Sequence, residues 1–258
     1  MRGAFGDAGY LVRESFLDES ECAELRAAAE RVATLVSARA ARSGAGPVAE
    51  LADGHRIQFS SHTAIQWEWT EGSREIRLLE PVEHLDERFA TLFADERLVA
   101  PVRRELGGEV APFTSKLNFK RAAEGSEFPW HQDYPYWYVA VGTDAQDVVT
   151  AIVFLDDATI DNGALRVIPG SHLIGQARRD PSDPTRFLTD PTAIDSAEAV
   201  VIEAPAGTAV WFGAFLVHCS TPNRTTCHRR ALLPSWQPAG RGRLHDFPYR
   251  PERVTDLP

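Results

Sequence analysis

His131-Gln132-Asp133 lies among aromatic residues, after Phe128-Pro129-Trp130 and before Tyr134-Pro135-Tyr136-Trp137. On a strand, residues two apart project from the same face. An imidazole and a carboxylate at this spacing can therefore grip one metal ion while Gln132 points away. With a second, distant histidine they would form three ligands on one octahedral face, the 2-His-1-carboxylate arrangement of non-haem Fe(II) oxygenases. The spacing alone is weak evidence, because His84-Leu85-Asp86 repeats it. That copy falls in a stretch that reads as helical, where residues two apart sit about 200° round the axis, so it reads as surface.

The third ligand must come from His55, His62, His172, His218, His228 or His245. His218 is the best placed. It ends the apolar stretch Ala209 to Val217, read as a core strand, and a ligand on a core strand is rigidly held. The turn Cys219-Ser220-Thr221-Pro222-Asn223 follows, and Arg229 comes eleven residues after His218. A guanidinium there can bind a carboxylate bidentately, and Ser220 can add a hydroxyl. The geometry suits a keto acid at two of the open iron positions, its far carboxylate on Arg229, and dioxygen at the third. Of the 27 basic residues only Lys116 and Lys120 are lysines. Either this is chance in an arginine-rich chain, or a compact ammonium is wanted there, since lysine and arginine are not interchangeable. Lys116 therefore joins the cofactor-binding candidates.

The elements that must position these groups fall into two parts. Up to about residue 108 the chain reads mainly as helices behind a short opening strand, Gly9 to Val12. Asp18 and Glu21 form a capping box, and Cys22, Leu25, Ala29 and Val32 recur at helical spacing. Ala40 to Gly54 reads as a loop. A second helix carries Leu85, Phe89, Leu92 and Phe93, and a third runs to Gly107-Gly108. From about 109 to 258 short strands alternate with turns: Lys116 to Lys120, Val148 to Leu155, Leu165 to Ile168, Ala209 to Val217 and Arg230 to Trp236. Asn162-Gly163 reads as a hairpin turn. Such a pattern predicts a mainly β jelly roll, a double-stranded β-helix of the cupin type, with flanking helices. Neither repeats nor linkers are visible, so residues 1–258 read as one domain.

Composition narrows the partners. A net charge of −10 would repel nucleic acid or an anionic membrane. The longest apolar run, Ala209 to Val217, is far short of the roughly 20 residues that span a bilayer. No apolar segment follows Met1-Arg2-Gly3 as a signal peptide would require. Three cysteines, Cys22, Cys219 and Cys227, lack zinc spacing, and a reducing cytoplasm is the simplest setting.

The chain resembles the phytanoyl-CoA dioxygenase family, which includes ectoine hydroxylase. The resemblance covers most of the sequence. It is carried by Trp130-His131-Gln132-Asp133, by Asp161-Asn162-Gly163-Ala164-Leu165-Arg166-Val167-Ile168-Pro169-Gly170-Ser171-His172, and by His218-Cys219-Ser220-Thr221-Pro222-Asn223 with Arg229. The resemblance implies a double-stranded β-helix, Fe(II) held by His131, Asp133 and His218, and 2-oxoglutarate contacts at Arg229, Ser220 and Asn118. His172 would belong to a structural turn. The implied activity is O2-dependent oxidation of a small-molecule C–H bond, with release of succinate and CO2. Asp133 favours hydroxylation, desaturation or ring formation over halogenation, because related halogenases lack this carboxylate and leave room for chloride. In the matching region of the family, the position of Trp137 faces substrate. Ile152 replaces an aromatic residue that walls the cosubstrate in some members. Tyr134-Pro135-Tyr136-Trp137-Tyr138 departs from the ectoine hydroxylase signature.

Two other readings stay open on sequence grounds: a zinc hydrolase using the same three ligands, and a non-catalytic cupin-like binding protein. The expected substrate is a small polar metabolite, an amino acid or a natural-product intermediate. Trp137 and Trp67 are the substrate-binding candidates, and Trp69 is expected to pack in the core. Oligomeric state is not legible.

Overall fold

The computed structural model describes residues 4–42, 47–50, 54–60, 62–70, 72–182 and 187–246. In chain order these form β1 (Tyr10–Arg13), α1 (Glu19–Ala40), β2 (Ala49–Glu50), β3 (Arg56–Ser60), β4 (Thr63–Trp67), β5 (Ile76–Glu80), α2 (Glu87–Phe93) and α3 (Glu96–Leu106). Then follow β6 (Val110–Lys120), β7 (Phe128–His131), α4 (Tyr134–Val141), β8 (Val149–Phe154), β9 (Leu165–Val167), β10 (Val200–Ile202), β11 (Ala209–Gly213), β12 (His218–Ser220) and β13 (Arg229–Pro238).

The strands make two antiparallel sheets. One has nine strands in the order β1-β11-β8-β13-β6-β5-β4-β3-β2, and the other has four, β10-β9-β12-β7. Alternation divides each central strand between two cores. Val149, Ala151 and Val153 of β8, with Ala209 and Trp211 of β11, pack with α1, α2 and α3. Ile152 and Phe154, with Val210 and Phe212, pack instead with Leu165, Val167 and Ile202 of the small sheet. These strands are thus buried on both faces, which is why they read as unbroken apolar runs. Trp211 illustrates the helix-side packing: it is fully buried and its indole N–H donates to the Leu98 carbonyl at 3.1 Å. Burying such a side chain stabilises the fold by roughly 1.5–3 kcal/mol or more.

The mainly β, cupin-type architecture matches the sequence expectation, and so do many local features. Asp18 and Glu21 form the capping box of α1, β1 follows Gly9, and α3 ends at Gly107 in a left-handed conformation (φ 71°). Other expectations need correction. The region before residue 108 is not mainly helical: β1 to β5 all join the nine-stranded sheet. Their signals were weak because β3 and β4 mix polar and apolar residues. The stretch from 40 to 54 is only partly loop, since α1 extends to Ala40 and Ala49–Glu50 pairs with β3. Residues 43–46 and 51–53 of that stretch lie outside the described residues.

Asn162-Gly163 does not close a hairpin. β8 belongs to the large sheet and β9 to the small one, so the chain crosses between layers there. Ile160–Asn162 forms a short 3-10 turn capped by Gly163 at φ 88°. A Cβ at Gly163 would run into the Thr221 carbonyl and the Lys120 stem, so glycine is needed for closeness as well as conformation. Likewise, Ala209 to Val217 is not one strand. β11 stops at Gly213, the chain crosses the sandwich, and His218 begins β12 in the opposite sheet.

Candidate active site

Two neighbouring strands of the small sheet bring the histidines together. In the β12–β7 ladder His218 lies directly opposite His131, and cross-strand partners have their Cβ atoms about 5 Å apart. The ring centroids are 4.2 Å apart and inclined at 51°. Asp133 does not continue β7. It occupies the N-cap position of α4 in a helical backbone conformation (φ −72°, ψ −27°). The His-x-Asp grip is therefore made by a strand end turning into a helix, not by strand alternation as expected. Gln132 does point away: its amide donates to the Gly175 and Phe215 carbonyls and its oxygen accepts from the Ala177 N–H. One ligand atom from each of His131, Asp133 and His218 lies within 4.8 Å of the others, and no other such group of His, Cys, Asp and Glu occurs among the described residues.

Both imidazoles are oriented the same way. Nδ1 of His131 bonds the Pro129 carbonyl at 2.7 Å, and Nδ1 of His218 bonds the Leu216 carbonyl at 2.9 Å. Carbonyls accept only, so each Nδ1 carries the proton and each Nε2 presents a lone pair, the tautomer a metal requires. Burial, then the facing His218 ring, pushes the His131 pKa down to about 3. Burial also lowers that of His218. Burial works against charge on Asp133, but the Lys116 ammonium foremost holds its carboxyl below the usual range. Two neutral imidazoles and a carboxylate thus stand together.

The decoy pair fails for a different reason than expected. His84-Leu85-Asp86 is a turn, not a helix. Asp86 caps α2 and pairs with Arg31 at 2.8 Å, while His84 contacts the Thr63 hydroxyl at 3.2 Å. His172 sits in a 3-10 turn whose imidazole fills the space beside Gly9.

Beside the trio is a small chamber of about 70 Å³, walled by Asn118, His131, Asp133, His218, Ser220 and Arg229 and closed by Ile152 and Phe154. The large sheet supplies the cationic and amide groups. Arg229 opens β13 opposite Lys120 of β6. It is buried, donates to the Gly163 carbonyl at 3.0 Å, and leaves its Nε without a partner. Burial, partly offset by the field of Asp156, lowers its pKa to about 10. Arg230, the next residue, faces the other way into an ion pair with Asp156 at 2.7 Å, as alternation along a strand requires. Asn118 is buried with its side-chain oxygen unpartnered.

Alternation divides the end of β6 between the chamber and the core. Lys116 and Asn118 line the chamber, and Leu117 and Phe119 turn to the helix-side core. Lys120 shares their face but is fully buried, donating to the Ser126 and Thr221 carbonyls at 2.7 and 2.8 Å. It ties the end of β6 to the turn after β12. Lys116 stays half-buried. Burial opposes its charge, but Glu80 and Asp133 raise its pKa.

A larger cavity of about 230 Å³ opens on the other side of His131 and Asp133. The two spaces share Leu78, Lys116, Phe128, His131 and Asp133. Trp137 lines the outer one as expected, edge-on to Phe113 at 5.4 Å and below the Lys116 ammonium at 5.3 Å. The tryptophans of the N-terminal segment are exchanged. Trp67 is a core residue, 3% exposed, with its indole N–H on Gln58, whereas Trp69 lines the cavity. One residue past the end of β4, the chain turns and the alternation lapses. Sequence reasoning also missed Arg77, Glu80, Tyr136 and His55 on this wall. Arg77, Glu80 and Tyr136 lie on a strand and a helix that had no clear periodic signal, and His55, weighed only as a metal ligand, sits just before β3.

This arrangement matches a known family. A family model, phytanoyl-CoA dioxygenase, matches residues 5–231, and the chain belongs to that family. It is 36% identical over 182 residues to an L-proline trans-4-hydroxylase of Streptomyces griseoviridis, covering 63% of this chain and 67% of the relative. It is 35% identical over 158 residues to an ectoine dioxygenase of Halomonas elongata, covering 57% and 47%. The matches thus span about half to two thirds of these relatives' length. Among solved structures, EctD from S. alaskensis with 2-oxoglutarate and 5-hydroxyectoine superposes with a TM-score of 0.65 at 28% identity, covering 91% of this chain and 73% of that one. The epimerase SnoN, in complex with Fe3+, alpha ketoglutarate and nogalamycin RO, shares the fold with a TM-score of 0.67 at 18% identity, covering 99% and 88%.

Proposed function

We propose that the protein is an Fe(II)- and 2-oxoglutarate-dependent dioxygenase that hydroxylates a C–H bond of a small polar molecule, an amino acid or a natural-product intermediate. One observation carries the reading. Three metal-binding side chains with correctly turned imidazoles share a chamber with a buried arginine that has no carboxylate partner within 4 Å among the described residues. An uncompensated buried guanidinium is costly, and a dicarboxylate cosubstrate would supply the missing charge.

His131, Asp133 and His218 would hold the iron. Arg229 would pair with the distal carboxylate of 2-oxoglutarate, its unpartnered Nε and the second N–H of Nη2 forming the fork that a carboxylate fits. Asn118 would complete the contact by its NH2, since the oxygen and nitrogen of an amide are exchangeable by a flip. Ser220 would add a hydroxyl, and Lys116 would neutralise charge gathered near Asp133. With dioxygen, the bound iron and keto acid would supply the oxidant for the C–H bond and yield succinate and CO2. The chain's own part is to orient the groups and exclude water, which the apolar walls Ile152, Phe154 and Phe128 would do. Trp137 would bound the substrate.

A zinc hydrolase would have no use for Arg229 beyond the chamber, and a simple binding protein would have no use for three convergent ligands. The relatives named as hydroxylase and dioxygenases favour the oxygenase. No helix among the described residues is long and apolar enough to cross a membrane. All three cysteines are free, which fits a reducing setting. The test is anaerobic titration of the apoprotein with Fe(II) and 2-oxoglutarate. A weak visible charge-transfer band is expected, absent with Zn(II); its absence with iron would overturn the proposal.

A further inference from the structure

Arg77 is the one cation that the strand pattern should have kept out of the outer cavity. In the β4–β5 ladder Ile65 pairs with Leu79 and Gln66 with Leu78, but Trp67 pairs with Ile76. Arg77 is therefore an extra residue on β5, a β-bulge. Bulges re-aim a side chain that regular alternation would place elsewhere. Here Ile76 and Leu79 both turn to the helix-side core, while Arg77 and Leu78 both face the cavity.

The guanidinium is tightly held but incompletely used. It lies 3.7 Å from the Phe128 ring centroid and 4.9 Å from that of Trp69. Nε donates to the Ser126 hydroxyl at 2.8 Å and Nη2 to the Glu127 carbonyl. Nη1 has only a long contact, 3.4 Å, to the Gln66 side chain. Arg77 is 2% exposed, and no carboxylate oxygen of a described residue lies within 4 Å of it. Burial lowers its pKa to about 10 against the fields of Glu68, Tyr136 and Glu127, so it remains charged at neutral pH. Lys116, the other cation on this wall, has its pKa raised by Glu80 and Asp133. Arg77 thus brings to the cavity a buried positive charge with no carboxylate in contact and one nitrogen, Nη1, still largely unused.

We propose that Arg77 is the specificity-determining residue of the substrate cavity and that the substrate is a compact carboxylate whose anionic group is received by Arg77. The inference rests on the oxygenase reading. A volume of about 230 Å³ is below the roughly 300–1,000 Å³ of pockets that enclose drug-sized ligands, so the remainder of the molecule must be small. Trp69, Tyr136 and Trp137 give it flat apolar walls on the way to His131 and Asp133.

The test compares acids with their amides, which lack the carboxylate charge, on the anaerobic holoenzyme carrying Fe(II) and 2-oxoglutarate. The probes are L-proline with L-prolinamide and cyclohexanecarboxylate with cyclohexanecarboxamide. Binding is read by quenching of tryptophan fluorescence and by the shift of the iron charge-transfer band. At least one acid should bind the wild type roughly tenfold or more tightly than its amide, as expected for a charge-assisted bond. R77Q should erase that preference and R77K should retain part of it. A wild type that shows no preference for either acid, including one that binds neither probe of each pair, overturns the proposal. So does an acid preference that survives in R77Q. The wild-type comparison needs no variant to fold. Lack of the band altogether would sink the oxygenase reading instead, and the fluorescence titration would still judge Arg77.

Discussion

The inner chamber and the outer cavity share one wall of residues but were built by different means. The inner chamber draws chiefly on β6, β7, β12 and β13, whose pairing sets His218 opposite His131 and Arg229 opposite Lys120, with a register shift between His218 and Ser220 and with Asp133 added from the N-cap of α4. Its polar groups are few and buried. The outer cavity draws on β5, on the turn after β4 and on the first turns of α4, where a bulge, a strand end and a helix N-terminus set side-chain direction. Most members of the inner site follow from spacing on paired strands, Asp133 at the α4 N-cap being the exception. In the outer cavity spacing misassigns, and the exchange of Trp67 for Trp69 is the clearest instance.

If the inner chamber is the invariant chemical unit and the outer cavity the selector, substitutions should separate accordingly. The largest effects belong to the trio. His131→Ala, Asp133→Ala and His218→Ala should each remove turnover and weaken Fe(II) binding, measured by anaerobic metal titration and succinate formation, while His84→Ala and His172→Ala retain the metal. Full activity in His218→Ala would dissolve the distinction between the two spaces.

Next comes Arg229→Ala, which should raise the 2-oxoglutarate KM by two orders of magnitude or more while leaving iron affinity nearly intact. Removing one partner of a desolvated ion pair costs about 3–5 kcal/mol. Its neighbour Arg230→Ala should leave that KM alone and lower the melting temperature, because Arg230 is spent on Asp156 and Glu30. The reverse pattern would show that the register of β13 is wrong.

The two tryptophans sharpen the contrast from the other side. Trp67→Ala should destabilise the fold by about 3–5 kcal/mol, as large aromatic truncations in a core do, with the cosubstrate KM of the surviving enzyme unchanged. Trp69→Ala should cost less stability and alter substrate-dependent succinate release. Thermal melts and coupled-turnover assays on the same preparations distinguish them; a Trp69→Ala enzyme with unaltered substrate dependence would remove that residue from the cavity's function.

The smallest effects concern the two lysines. Lys116→Ala should slow turnover with little change in melting temperature, since its ammonium faces the open space between the two chambers. Lys120→Met should do the opposite, because two carbonyls, of Ser126 and Thr221, lose their donor and an unsatisfied buried acceptor costs about 1–3 kcal/mol. Equal behaviour of the two variants would mean that β6 presents one uniform face.

The sequence by itself determined the parts that depend on local chemistry and short-range pattern. The capping box at Asp18 and Glu21, the end of α3 at Gly107, the alternation of Lys116 to Lys120 and the outward turn of Gln132 all follow from neighbours within a few residues. The choice of His131 and Asp133 over His84 and Asp86 stands on other grounds than local pattern, since Asp133 caps α4 instead of continuing a strand and the decoy lies in a turn and not in a helix. Only the tertiary structure decided which strands cross between the sheets. The crossings after Asn162-Gly163 and Gly213 look like a hairpin and a continuous strand, because a chain leaving one layer for another uses the same glycines and apolar residues as one staying within it. Nor could pattern alone find β3 to β5 or the bulge at Arg77. A single extra residue reverses which face a side chain takes, and that shift is fixed by pairing with a strand elsewhere in the chain.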